Sequence, residues 1–215
     1  MTTLVELAVA MVLLCVFASL ADNVVDRQTF SFDLPAMQAV RHLESSWLTL
    51  MMQLVTVSAS TLGTIVLALA LCVGLLQAGR RPDAISWALG LVLSAALGQA
   101  LKYAFVRPRP HLLPWLTVTR GWSFPSGHTL NAVTLAGLSV WLFGRRLSGW
   151  RRVALTVGVG LWVVLVGLSR IYLGVHYPSD VLASLTVGGL YLLSARGMHR
   201  LMPPDSRVVK SRETS

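Results

Sequence analysis

Six long apolar runs follow one another along the 215-residue chain, over roughly 4–21, 55–77, 84–105, 128–144, 153–170 and 179–196. About 20 apolar residues in a helix cross the hydrocarbon core of a bilayer. Helix is the form to expect, because no water is present at that depth to satisfy backbone N–H and C=O groups. The pattern therefore predicts an all-α integral membrane bundle of six transmembrane helices. Residues 1–196 form its single domain, and 197–215, polar and Pro-containing, form a basic tail.

The first run ends in Ser-Leu-Ala, which mimics a secretory cleavage site. It lacks the basic stretch that opens a signal peptide and carries Glu6 instead, so a retained first helix is expected. One long polar connection separates the first two runs. From Pro35 onward it has the mixed polarity of a helix lying at the membrane interface. It is expected to be an ordinary connecting helix with no role in chemistry.

Composition sharpens this picture. The chain is 54% hydrophobic and only 13% charged, about half the charge of an average soluble domain. Its net charge is +9, yet no soluble basic domain exists to carry nucleic acid. The arginines gather at helix ends instead. Arg80, Arg81, Arg145, Arg146, Arg151 and Arg152 fall in turns that six alternating spans place on one side, together with Arg196, Arg200, Arg207, Lys210 and Arg212. The positive-inside rule makes that side cytoplasmic, with both termini on it. The two cysteines, Cys15 and Cys72, lie inside apolar runs and suggest neither a disulfide framework nor a metal cluster.

With orientation fixed, the outer helix ends hold the chemistry. The third run finishes with Lys102, Arg107 and Arg109; the fourth begins with Pro125, Ser126, Gly127 and His128. The fifth ends at Ser169 and Arg170, and the sixth opens after His176 with Asp180. Ionisable groups at membrane depth are costly and mark function by default. Four cations argue for an anion, and the planar fork of arginine suits phosphate. The opening of a helix at Ser126–Gly127 adds unpaired N–H groups and a favourable dipole, with Gly127 allowing close approach. The Ser126 hydroxyl can donate one further bond.

Two histidines flank this cradle. Pro178 suits the first helical position of the sixth run, so Asp180 falls in its first turn and can reach back to His176. A carboxylate on one ring nitrogen fixes the tautomer and frees the other as a nucleophile. His128 can protonate the departing oxygen, so a phosphohistidine route is chemically consistent. Arg107 and Arg120 can instead snorkel to headgroups. His42, His111 and His199 read as interfacial residues, and Trp115 and Trp122 as membrane-interface anchors. Distant histidines lack metal-site spacing, and the surrounding cations oppose a divalent ion; no cofactor is expected.

These residues resemble the type 2 phosphatidic acid phosphatases, the lipid phosphate phosphatases. That family carries Lys, six residues, Arg-Pro; then Pro-Ser-Gly-His; then Ser-Arg, five residues, His, three residues, Asp. Lys102, Arg109 and Pro110 match the first motif, Pro125 to His128 the second, and Ser169, Arg170, His176 and Asp180 the third. The resemblance implies a metal-independent membrane phosphatase with catalytic His176, His128 and Asp180. Lys102, Arg109, Ser126, Gly127 and Arg170 would bind phosphate, with Arg107 and Ser169 as accessory positions. The small size is similar to bacterial members, which implies an inner membrane and a site facing the periplasm. Undecaprenyl pyrophosphate, phosphatidylglycerophosphate and phosphatidate all fit the motifs as substrates. A lipid phosphotransferase using the same intermediate, or a non-catalytic lipid-phosphate transporter or binding protein, are the alternative readings. The expected partners are the lipid phosphate and membrane lipids.

Overall fold

The computed structural model describes residues 2–26 and 28–201, which form eight helices and, among the described residues, no strand. In chain order they are α1 (Thr2–Val25), α2 (Asp33–Arg41), α3 (Ser46–Ser58), α4 (Thr61–Gln77), α5 (Arg81–Phe105), α6 (Gly127–Gly144), α7 (Gly149–Tyr172) and α8 (Pro178–Leu201). The basic tail expected from residue 197 begins inside α8, and Arg207, Lys210 and Arg212 lie outside the described residues.

The polar connection carries α2 (Asp33–Arg41) where a helix is expected from Pro35, but the second run folds differently from the expectation. The run expected over 55–77 starts earlier and is broken, with α3 and α4 meeting at a 52° bend. Local chemistry explains the break. The Ser60 hydroxyl accepts from the Gly63 backbone N–H at 3.0 Å, capping a new helix. A Cβ at Gly63 would stand 2.2 Å from the Val57 carbonyl oxygen, so only glycine lets α4 start against the end of α3. The freed Ala59 carbonyl is taken by the Asn131 amide of α6 at 3.3 Å, and the Ser58 hydroxyl accepts from Trp162 of α7 at 2.9 Å.

By length and composition α1, α5 and α7 are apolar enough to cross a membrane, and the α3–α4 pair makes a fourth. The helices at the fourth and sixth runs, α6 and α8, do not qualify, and their position gives the reason. Helix α6 packs against α4, α5, α7 and α8, while α1 covers α8. These central helices face protein rather than lipid and bury Thr129, Thr134, Ser184 and Thr186. Such hydroxyls are the glue of membrane interfaces. Ser94 of α5 and Thr134 of α6 join at 2.6 Å, and Tyr191 of α8 donates to the Gly90 carbonyl of α5 at 2.6 Å.

Apolar packing then fixes both ends of the bundle. Trp87 is fully buried with Leu75, Ala84, Leu135, Leu138 and Leu142 between α4, α5 and α6. Phe124, just before the Pro-Ser-Gly-His motif, sits in an aromatic cluster with Phe105 at 5.0 Å and Phe17 at 6.1 Å. That cluster ties the start of α6 to the end of α5 and to α1.

Candidate active site

The three motifs converge at the end of the bundle where α5 and α7 finish and α6 and α8 begin. Helix α5 closes on Val106, whose backbone is left-handed with φ 48°. For a β-branched residue this costs on the order of 1–3 kcal/mol, and it turns the chain so that Arg107 and Arg109 enter the protein. Helix α7 closes on Gly174, with φ 76° and a Val175 N–H to Arg170 carbonyl bond. A Cβ at Gly174 would meet Arg41 Nη2 at 2.9 Å and the Pro114 carbonyl at 3.3 Å. This tight turn aims His176 inward, and Pro178 opens α8 immediately after it.

His176 is buried and held from both ring nitrogens. Its Nδ1 lies 3.3 Å from Asp180 Oδ2, and its Nε2 lies 3.0 Å from Arg109 Nη1. A guanidinium can only donate, so Nε2 is the acceptor. The single proton of the neutral ring is then on Nδ1, donated to Asp180. Burial pushes His176 down to about 3, with Arg109 and Arg170 adding to the drop against the opposing pull of Asp180. The ring is therefore neutral at pH 7, with its lone pair on the nitrogen that faces the cations.

Asp180 is fully buried and saturated. Its Oδ2 also accepts from the Tyr177 N–H at 2.9 Å and from the Ser123 hydroxyl, and its Oδ1 accepts from Arg107 Nη1 at 2.6 Å. An isolated buried carboxylate would cost several kcal/mol; these donors offset that cost and fix the carboxylate plane.

Arg109 meets Nε2 directly, and Lys102 and Arg170 lie within electrostatic reach of Arg109. Arg109 donates to the carbonyls of Gly121 at 2.9 Å, Arg120 at 3.0 Å and Val175 at 2.8 Å, which pins the 106–126 segment over the site. Lys102 donates to the Trp122 and Pro125 carbonyls at 2.7 and 2.9 Å. A Cβ on Gly127 would meet only Lys102 Cε, at 3.7 Å, so the lysine lies against the N-terminus of α6. Arg170 is buried, donates from Nη1 to Thr56 at 2.8 Å and leaves its buried Nε without a partner. His128, half-buried at the start of α6, lies within the electrostatic reach of Arg170, Arg109 and Lys102.

Two expected residues, Arg107 and Ser169, have their bonds elsewhere, and a third, Ser126, accepts one bond while its own O–H stays available to donate. Arg107, counted among the cations for an anion, is buried and spends its guanidinium on Asp33 at 3.1 Å and Asp180 at 2.6 Å. Ser169 donates to the Val166 carbonyl of its own helix. The Ser126 hydroxyl, fully buried, accepts from Thr129 at 3.0 Å. Trp115 is tied by its indole N–H to the Pro110 carbonyl at 2.6 Å and stacks on His111, so both help shape the 106–126 segment. Arg109, His111, Trp115, Arg120 and Trp122 line a cleft of about 230 Å³ beside the site. Among the described residues, no group of three or more His, Cys, Asp or Glu is placed to hold a metal ion.

Sequence reasoning missed Asp33, Thr56, Ser123 and Ser179. Asp33 and Ser179 are partners 146 residues apart in sequence, so no local spacing could pair them. Ser123 had a weak signal, standing just ahead of the Pro-Ser-Gly-His motif.

Residues 83–202 match the family model described as the PAP2 superfamily. The chain belongs to the PAP2 superfamily. Among its curated relatives, phosphatidylglycerophosphatase B of Bacillus subtilis is 35% identical over 104 residues, covering 47% of this chain and 50% of that protein. Undecaprenyl-diphosphatase BcrC of Bacillus subtilis is 43% identical over 65 residues, covering 30% of this chain and 29% of that one. The chain thus spans half or less of the length of these PAP2 relatives. In three dimensions the likeness is broader. A transmembrane PAP2-type phosphatidylglycerolphosphate phosphatase from Bacillus subtilis superposes with a TM-score of 0.79 at 25% identity, over 92% of this chain and 97% of that one.

Proposed function

We propose that this chain is a lipid phosphate phosphatase that crosses the membrane six times and works through a phosphohistidine at His176. The observation that carries the reading is the environment of His176. Nδ1 is committed to Asp180, and the unprotonated Nε2 accepts from Arg109, which lies within electrostatic reach of Arg170 and of Lys102 against the α6 N-terminus. A phosphate oxygen would replace Nε2 as the acceptor of Arg109. A second would take the unpaired Arg170 Nε, and a third the N–H groups at Gly127 and His128.

The chemistry follows from that placement. The Nε2 lone pair attacks phosphorus, the bond from phosphorus to the lipid oxygen breaks, and His128 gives the leaving oxygen its proton. Positive charge that builds on the ring is balanced by Asp180 behind it. In the second step His128 takes a proton from water, the new hydroxide attacks phosphorus, and the P–N bond breaks to release phosphate. The cations stabilise charge on the transferring group in both steps.

Relatives named for phosphatidylglycerophosphate and undecaprenyl diphosphate support a lipid substrate with a terminal phosphate. In this reading the α3–α4 pair makes one crossing and the site faces outward, opposite the arginines of the α4–α5 and α6–α7 turns. Membrane lipids flank the chain, which sits in a bacterial inner membrane.

Purified enzyme given phosphatidylglycerophosphate, phosphatidate and undecaprenyl pyrophosphate in micelles tests the reading. The wild type should release inorganic phosphate from at least one of them and, with ³²P-substrate, trap acid-labile label. His176→Ala should do neither. Full phosphate release by His176→Ala would refute the mechanism, and transfer of label to an added alcohol in place of water would make the chain a phosphotransferase.

A further inference from the structure

We propose that Asp33, in the connection thought to have no part in chemistry, is a positioning residue that acts on His176 through Arg107 and Asp180. The inference rests on the phosphatase reading above. Asp33 and Asp180 are the two fully buried carboxylates among the described residues. Asp33 Oδ1 accepts the Ser179 backbone N–H at 2.9 Å, in the first turn of α8. Its Oδ2 accepts from the Ser179 hydroxyl at 2.6 Å and from Arg107 Nη2 at 3.1 Å. Arg107 Nη1 in turn donates to Asp180 Oδ1 at 2.6 Å and to Ser179 Oγ at 2.8 Å. The guanidinium also stacks 4.1 Å from the Tyr177 ring centre, on the residue next to His176.

Asp33 therefore locks two things at once. It seats the start of α8, from which Asp180 projects, and it fixes the arginine that grips the far oxygen of Asp180. Rotation of that carboxylate sets the Nδ1 to Oδ2 contact and with it the direction of Nε2. Charge supplies a second reason. Arg107 alone would cancel Asp180, weakening its support for positive charge on the imidazole. With Asp33 present, two carboxylates share one guanidinium, and the unit keeps a net negative charge behind His176. A buried triad of this kind is a poor way simply to hold a helix, since apolar residues of similar volume stabilise as well or better. None of the hydrogen bonds of Asp33 goes to Lys102, Arg109, Arg170 or His128, so phosphate binding should be spared.

Asp33→Asn keeps the shape and removes the charge. In detergent-purified enzyme, kcat on phosphatidylglycerophosphate or phosphatidate should fall at least tenfold, about 1.4 kcal/mol of barrier. KM and the inhibition constant of inorganic phosphate should stay within about threefold, because both report ground-state binding in the cradle and not the carboxylates behind the ring. Asp33→Asn leaves Arg107 short of a partner and can unfold the chain. Asp33→Asn with Arg107→Gln removes both charges, a change that buried pairs tolerate better; it keeps the net negative charge behind His176 but frees the Asp180 carboxylate to rotate, so kcat should still fall severalfold with inorganic phosphate binding intact. Wild-type kcat in either folded variant overturns the inference. So does a loss of inorganic phosphate affinity that parallels the loss of kcat, which would mark a collapsed cradle. Failure of the wild type itself to release phosphate would count against the phosphatase reading instead.

Discussion

Asp180→Asn separates orientation from binding at the proposed nucleophile. The carboxylate receives four donors: Arg107 on Oδ1, and His176, Tyr177 N–H and Ser123 on Oδ2. An amide of the same shape has one acceptor and one NH₂ group, so one side must set donor against donor. If the amide oxygen faces Arg107, the NH₂ meets His176 Nδ1 and drives the ring proton to Nε2. That tautomer has no lone pair to attack phosphorus and points a second donor at Arg109, 3.0 Å away. If the oxygen faces His176, the NH₂ meets Arg107 instead, and the ring loses its negative partner.

Losing a charge-assisted hydrogen bond costs about 1.5–3 kcal/mol, and the wrong tautomer adds to it. The expected fall in kcat is about 10³-fold, or about 4 kcal/mol of barrier. KM should change by less than about threefold, because Asp180 makes none of the proposed phosphate contacts. Phosphate release from micellar lipid phosphate gives kcat, and rapid quench for acid-labile label tells whether the first step is the slow one. Thermal unfolding in detergent shows that the protein remains folded. A folded Asp180→Asn enzyme with kcat within tenfold of wild type would refute the tautomer argument.

Gly188→Ala tests the close approach of α8 to α6. The new Cβ would lie 2.5 Å from Val133 Cγ1 and 2.9 Å from its Cβ, and helical valine has one strongly preferred rotamer. A loss of about 1–3 kcal/mol is expected, read as a lower unfolding temperature. Gly74→Ala, with nothing within 4 Å of its Cβ, is the control; equal losses at both would refute the packing argument. The buried His176 gives a pH signature. Its folded value of about 3 lies below the ordinary 6.5, so between these values the unfolded chain binds the extra proton. Stability is then full above about 6.5 and falls toward pH 3, at up to ~1.4 kcal/mol per pH unit. His176→Gln should flatten that slope in thermal unfolding between pH 4.5 and 7, and an unchanged slope would contradict the neutral ring.

What the sequence disclosed about this chain depended on the distance between partners. The Lys102, Ser126–His128 and Arg170–Asp180 motifs each lie within a dozen residues, at helix ends that hydropathy had already placed, so their convergence was legible. The ring proton of His176 was legible too, because Asp180 follows by four residues across a helix-starting Pro178. The direction of Arg107 was not. Its two carboxylates lie 74 residues before it and 73 after it, and spacing says nothing about which of several cations faces a ligand.

The same limit explains the helix count and the overlooked connection. Hydropathy measures contact with lipid, but α6 and α8 touch mainly other helices and can carry Thr134, Ser184 and Thr186. The bend between α3 and α4 was written in Ser60 and Gly63, yet it holds because Asn131 and Trp162 complete its polar groups from other helices. Arg170 joins the bend to the site: it is anchored on Thr56, one turn before the break, and presents its unpaired Nε from there. The bend lets α3 lie along α7, where Thr56 anchors Arg170, while α4 turns onto α5 and α6. The break in the second apolar run thus lets α3 anchor the arginine proposed to bind phosphate while α4 packs the core around Trp87.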